Sequence, residues 1–172
     1  TGEFVARAIL EHDANVRSLT LISPTGMGAK EVPSAVGSRV ERILGSKWVG
    51  HQLFKALTLK ASIRWFLGQA FVGPTPEQLI NHAWENSRKP GAHWAPLKFL
   101  TFSLFTEQAI SRLYSRLKLP CFVLYDRDPN IDFEKLPALT EGYENWSARK
   151  LAPSLGLPHW EMTGETVSAL EE

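Results

Sequence analysis

Two short stretches hold the side chains best suited to chemistry: Leu124-Tyr125-Asp126-Arg127-Asp128-Pro129 and Leu157-Pro158-His159-Trp160-Glu161. The first is an acidic turn that closes the apolar run Cys121 to Tyr125. The second places a histidine in a turn-like setting, 31 residues after Asp128. A carboxylate at the end of a strand can fix an imidazole tautomer, and the imidazole can then move a proton near neutral pH. Together they are the acid and base of a triad that activates a hydroxyl nucleophile, and no nucleophile is evident beside them.

Each candidate also has a plainer reading. Asp128 precedes a proline, where an aspartate commonly folds back onto its own turn. Asp126 is the rival acid. The spacing Asp126, Asp128, Asn130, Asp132 mimics a calcium loop, but its sixth position is Ile131 rather than Gly and its twelfth is Pro137 rather than Glu. No metal is expected, and no cofactor. His12, His51, His82 and His93 read as ordinary structural histidines, whereas the loop setting of His159 singles it out as a general base. Glu161 reads as a cap or pairing group. Trp94, in the loop-like Gly91-Ala92-His93-Trp94-Ala95-Pro96, and Trp160, beside the histidine, are candidate substrate contacts. Cys121 lies inside an apolar run and reads as a buried core thiol.

The elements that must carry these residues follow from periodicity. Residues 3–12 place Phe4, Val5, Ala8, Ile9 and His12 on one helical face. Val16 to Ile22 reads as a strand ending at Ser23-Pro24-Thr25-Gly26. A long helical stretch follows, roughly residues 34–118, with Trp48, Leu53, Phe54, Trp65, Phe66 and Phe71 as apolar anchors. Thr75-Pro76-Glu77-Gln78 predicts a helix start with Thr75 as N-cap and a capping-box Gln78. Thr106 is expected to cap a further helix bearing Ile110, Leu113, Tyr114 and Leu117. Cys121–Tyr125 is the next strand, residues 148–152 the expected third, and Thr166 to Glu172 a closing helix. This order predicts an α/β fold, with a helix and strand at the start resembling half of a parallel-sheet unit.

Composition sets the frame. The 172 residues are 44% hydrophobic and 22% charged, with a net charge of +1, which suits one soluble globular domain. That balance gives no ground for a nucleic-acid partner. Residues 119–172 carry four Lys/Arg against ten Asp/Glu, a skew that reads as solvated faces. A single cysteine excludes an internal disulfide framework. The longest uncharged window, Trp65 to Pro76, is too short to span a bilayer. A soluble, cytoplasmic or organellar setting is expected rather than a secreted one.

Four segments in this order resemble the α/β-hydrolase superfamily. Thr1-Gly2-Glu3-Phe4-Val5-Ala6-Arg7-Ala8 resembles the start of the helix after the nucleophile elbow, G-x-S-x-G. Val16–Ile22 with Ser23-Pro24 resembles the sixth strand and its exit. Leu119 to Pro129 resembles the seventh strand and acid loop, with Asp126 where Gly is common. Gly156-Leu157-Pro158-His159 resembles the loop that supplies the base. The resemblance implies the C-terminal part of that fold with an inserted helical cap: core over 1–33, cap over 34–118, core over 119–172. It implies Asp128 as triad acid, His159 as base, and a nucleophile about two positions before Thr1. A serine there implies acyl transfer, and an aspartate implies dehalogenase-like chemistry. The aromatic-rich insert implies a small, hydrophobic ester or acyl substrate. The alternative is a receptor-like protein that binds a ligand without turning it over. These residues alone, without the N-terminal part as partner, are expected to be inactive and poorly soluble, because the strand at Val16–Ile22 would expose an edge.

Overall fold

The computed structural model describes residues 2–12, 15–29, 39–44, 46–101 and 104–171. The first elements are α1 (Gly2–Glu11) and β1 (Leu19–Ile22). Among the described residues, five helices follow: α2 (Arg39–Leu44), α3 (Lys47–Leu57), α4 (Lys60–Gly68), α5 (Glu77–Asn86) and α6 (Trp94–Leu100). The chain then forms α7 (Ala109–Arg112), a 3₁₀ turn (Tyr114–Arg116), β2 (Cys121–Tyr125), α8 (Leu136–Gly142), β3 (Trp146–Lys150), α9 (Pro158–Glu161) and α10 (Thr163–Glu171).

Among the described residues, three strands make one parallel sheet in the order β1-β2-β3. Leu19 pairs with Cys121 and Ile22 with Leu124, while Cys121 pairs with Trp146 and Tyr125 with Lys150. β2 lies in the middle, and a central parallel strand is covered on both faces. Its sequence shows this directly: Val123 and Leu124, which point to opposite faces, are both fully buried. Burial of each contributes roughly 2 kcal/mol. Leu117, Leu119 and Pro120 end the preceding helical stretch, and the Asn145 amide donates to the carbonyls of Leu117 and Leu119 at 3.0 and 2.8 Å. That clamp sets the entry of β2.

One face of the sheet is covered by a core of Ala6, Met27, Leu113, Tyr114, Leu117, Leu136 and Trp146 with the strand residues Leu19, Leu21, Cys121 and Val123. On the other, Leu124, Leu151 and Ala169 pack with Ile22, Phe122 and Met162. Helices on both faces of a parallel sheet make the α/β class.

The chain divides into two compact units. The sheet-bearing unit holds residues 1–32, 70–72 and 106–172; the helical unit holds 33–69 and 73–105. Residues 106–118, expected to belong to the helical insert, therefore group with the sheet. The reason is packing: Leu113, Tyr114 and Leu117 are buried in the sheet core. The start of the insert, residues 34–38, lies outside the described residues.

Other expectations differ in detail. β1 begins at Leu19 rather than Val16, and β3 spans Trp146–Lys150 rather than 148–152. On α1, Gly2, Glu3 and Ala6 are buried and Ile9 packs against the core as expected, whereas Phe4 and Val5 are exposed. Glu3 goes inward because its carboxylate is satisfied: Oε1 accepts from the Thr25 hydroxyl and Oε2 from the Thr106 amide, both at 2.5 Å. Thr106 therefore does not cap a helix; its own hydroxyl accepts from Arg7. The expected helix through 110–117 breaks at Leu113 into α7 and the 3₁₀ turn, which sends the Tyr114 hydroxyl to the Thr25 carbonyl at 2.9 Å. Burial, with Glu3 adding to it, raises the Tyr114 pKa far above its usual range.

In the helical unit, α3 is capped by Ser46, whose hydroxyl accepts from the Val49 amide. Phe54, Ile63, Ile80 and Leu97 are buried. α5 begins at Glu77 with Pro76 as N-cap, and Thr75 makes no cap bond. Proline, with no side-chain acceptor, ends the approach to the helix by its fixed φ instead. Trp65 is 61% exposed and Phe66 49% exposed, so neither anchors this unit as expected. The side chain of Trp48 lies outside those described. Phe71 is buried, but it lies in segment 70–72, which groups with the sheet-bearing unit. No helix among the described residues is long and apolar enough to cross a membrane.

Candidate functional site

In a parallel sheet the loops leaving the C-terminal ends of the strands carry the chemistry. Two such loops face one another here, one after β2 and one after β3. The loop after β2 holds both acids. Asp126 is buried, its Oδ2 accepting from the Ser154 amide at 2.9 Å, with Lys150 Nζ 3.4 Å from Oδ1. This carboxylate ties the two loops together. Arg127 on the same loop approaches it only to 3.9 Å and is exposed.

Asp128 is half-buried. Its Oδ1 accepts from the amides of Asn130 and Ile131 at 2.7 and 3.1 Å, an Asx turn that holds the side chain in one orientation. The other oxygen, Oδ2, is turned toward the histidine loop. A Cβ built at Gly156 would lie 2.5 Å from it. Only glycine allows the acid so close, and Gly156 is three residues from His159.

His159 sits in the short helix α9, with Pro158 pre-setting its first turn and the Thr163 hydroxyl donating to the His159 carbonyl. Its Nδ1 is buried and has no hydrogen-bond partner among the described residues. The structure thus brings Asp128 and the His159 loop together without a hydrogen bond from Nδ1 to the carboxylate. Burial lowers the His159 pKa from its ordinary value of 6.5, which keeps the ring neutral and able to accept a proton.

The remaining candidates fall around this centre or outside it. Trp160 is 40% exposed beside the histidine. Trp94 is 57% exposed at the start of α6 in the helical unit, its ring 4.7 Å from that of His93. Cys121 is buried in β2 and its pKa is pushed up to about 11 by desolvation, as befits a core thiol rather than a nucleophile. Glu161, expected as a cap or pairing group, and Ser154, which the sequence left unassigned, prove central to the site's geometry. Glu161 accepts the Val72 amide on Oε1 at 2.6 Å and the Leu155 amide on Oε2 at 3.0 Å. Ser154, fully buried, donates its hydroxyl to the Leu151 carbonyl at 2.7 Å. A glycine three residues before a loop histidine was the one local signal pointing to Gly156.

No protein-family model matches the chain, and no curated protein matches it in sequence. Solved structures do. A bacterial membrane phospholipase A described as a virulence factor aligns at a TM-score of 0.65 and 19% identity, over 99% of this chain and 52% of its own. An esterase from Exiguobacterium antarcticum aligns at 0.65 and 14% identity, over 98% and 61%. The enol-lactonase of Burkholderia xenovorans LB400 aligns at 0.59 and 11%, over 98% and 60%. This chain therefore spans between half and two thirds of the length of these proteins. At such identities the likeness is one of architecture, and it agrees with the parallel sheet, its flanking helices and the order of its loops: the chain has the α/β-hydrolase fold, over part of that fold's extent.

Proposed function

We propose that the full-length protein is a serine-type hydrolase of small, hydrophobic ester or acyl substrates, with His159 as general base and Asp128 as the acid that orients it. The observation that carries this reading is the approach of Asp128 Oδ2 to Gly156, in the loop that leads to a histidine whose Nδ1 is buried and unpartnered. An orphaned ring nitrogen costs roughly 1–3 kcal/mol. A carboxylate accepting from Nδ1–H is the group that would relieve it, and Asp128 is proposed for that role.

In this reaction a serine on the segment preceding α1 attacks the substrate carbonyl carbon. Its proton passes to His159, and from there to the departing alkoxide or amine. Water then repeats the sequence on the acyl-enzyme. Asp128 stabilises the imidazolium formed in each half without itself taking the proton. Trp160, an exposed indole beside His159, is proposed to contact the apolar part of the substrate.

A second reading is favoured by the unformed Asp128–His159 bond: a ligand-binding protein on the same fold that does not turn its ligand over. Treating the full-length protein with a fluorophosphonate probe decides between them. Labelling that His159→Ala abolishes supports the hydrolase. Absence of labelling, with retained binding of a small ester, supports the receptor.

A further inference from the structure

Glu161 lies two residues beyond His159, and its carboxylate does something that the acid–base pair does not account for. Oε1 accepts the amide of Val72, 89 positions earlier in the chain, at 2.6 Å. Oε2 accepts the amide of Leu155, next to Gly156, at 3.0 Å. Val72 belongs to the three-residue segment 70–72, which is part of the sheet-bearing unit although both its flanks belong to the helical unit. The same segment touches the site a second time: a Cβ at Gly156 would lie 3.6 Å from the Ala70 Cβ. Phe71, between them, is buried. One carboxylate thus joins three pieces of backbone: the turn bearing His159, the loop that Asp128 abuts, and the segment 70–72.

Hydrogen bonds from backbone amides to a carboxylate are charge-assisted, and each is worth about twice a neutral one. A pair of them on opposite oxygens of one side chain fixes both distance and orientation. From this geometry we infer that Glu161 is a positioning residue, which registers the His159 turn against segment 70–72 so that the imidazole is held for proton transfer. The inference rests on the reading of His159 as base. Glu161 itself never contacts the reacting atoms.

The test combines exchange and kinetics on the full-length protein. In Glu161→Ala, the Val72 and Leu155 amides are expected to lose hydrogen-exchange protection together, while the β2 amides keep theirs. kcat toward a small ester is expected to fall by about a hundredfold, the scale of a 1 Å misplacement, with KM nearly unchanged. Glu161→Gln keeps one carbonyl acceptor and is expected to restore most of kcat and the protection of one of the two amides. It also serves if the alanine variant fails to fold. Unchanged protection of Val72 and Leu155 overturns the inference, and so does wild-type kcat in an alanine variant whose two amides have been released. Loss of turnover in His159→Ala alongside such a result leaves the reading of the base standing, whereas full turnover in His159→Ala removes that reading without touching the exchange measurement.

Discussion

Asp128 and Gly156 meet so closely that no side chain fits between them, since a Cβ on residue 156 would stand 2.5 Å from Asp128 Oδ2. Gly156→Ala must therefore push the carboxylate out of its place. Overpacking of this kind costs typically 1–3 kcal/mol. We expect the variant to fold with a lowered Tm and to lose most of its turnover, both measured on purified full-length protein. Wild-type kcat/KM in Gly156→Ala would show that the position of Asp128 does not matter to the reaction.

The two acids of one loop should separate cleanly on mutation. Asp126 is buried and holds the Ser154 amide, so Asp126→Ala strands a buried donor at a cost of about 1–3 kcal/mol, read as a lower denaturant midpoint. Asp128 satisfies only its own turn and is half-buried, so Asp128→Asn should change the midpoint little. Its effect belongs to kcat, with a fall of several orders of magnitude expected for a group acting as part of a unit. An exchange of these two phenotypes would reassign the acid to Asp126.

Desolvation holds the His159 pKa below 6.5 in the folded state. At a pH between the folded value and 6.5, the unfolded chain binds a proton at this position and the native state does not. Stability from this group is therefore complete above pH 6.5 and is lost as the pH falls through that window. Denaturant midpoints measured across it should decline more steeply in the wild type than in His159→Gln. The acid limb of kcat/KM should likewise lie below 6.5, because the base works unprotonated.

Cys121 gives a direct probe of β2. With its pKa pushed up to about 11, almost no thiolate exists near neutral pH. Iodoacetamide should alkylate it slowly in the native protein and rapidly once denaturant opens the sheet. Fast native labelling would mean that the middle strand is not closed.

The elements that announced themselves in the sequence did so for local reasons. β2 is a continuous apolar run between Pro120 and an acidic turn, and both acid and histidine loops are marked by proline beside the charged residue. β3 was harder to place because Trp146-Ser147-Ala148-Arg149-Lys150 pairs on one side only among the described strands and keeps exposed residues, so little apolar pattern survives. The burial of Glu3 on α1 is not legible locally, because an acidic residue goes inward only when its donors, Thr25 and Thr106, are in place. Glu161 reads locally as a cap or pairing group, but its partner, the Val72 amide 89 positions earlier, lies outside any local window. Asp128 and His159 could be nominated from the chain, but the unformed bond between them could not, since it depends on side-chain placement across two loops.

Segment 70–72 makes the helical unit something other than a simple insertion. Because these three residues fold with the sheet while the residues on either side do not, the backbone passes between the two units four times rather than twice. Swapping the whole of 33–105 for a short linker, as one might to transplant a lid between enzymes, would also strip out Phe71 and remove the Val72 amide that Glu161 Oε1 accepts. Any chimera built on this scaffold needs its cuts on both sides of Ala70 and Val72, with those residues left behind.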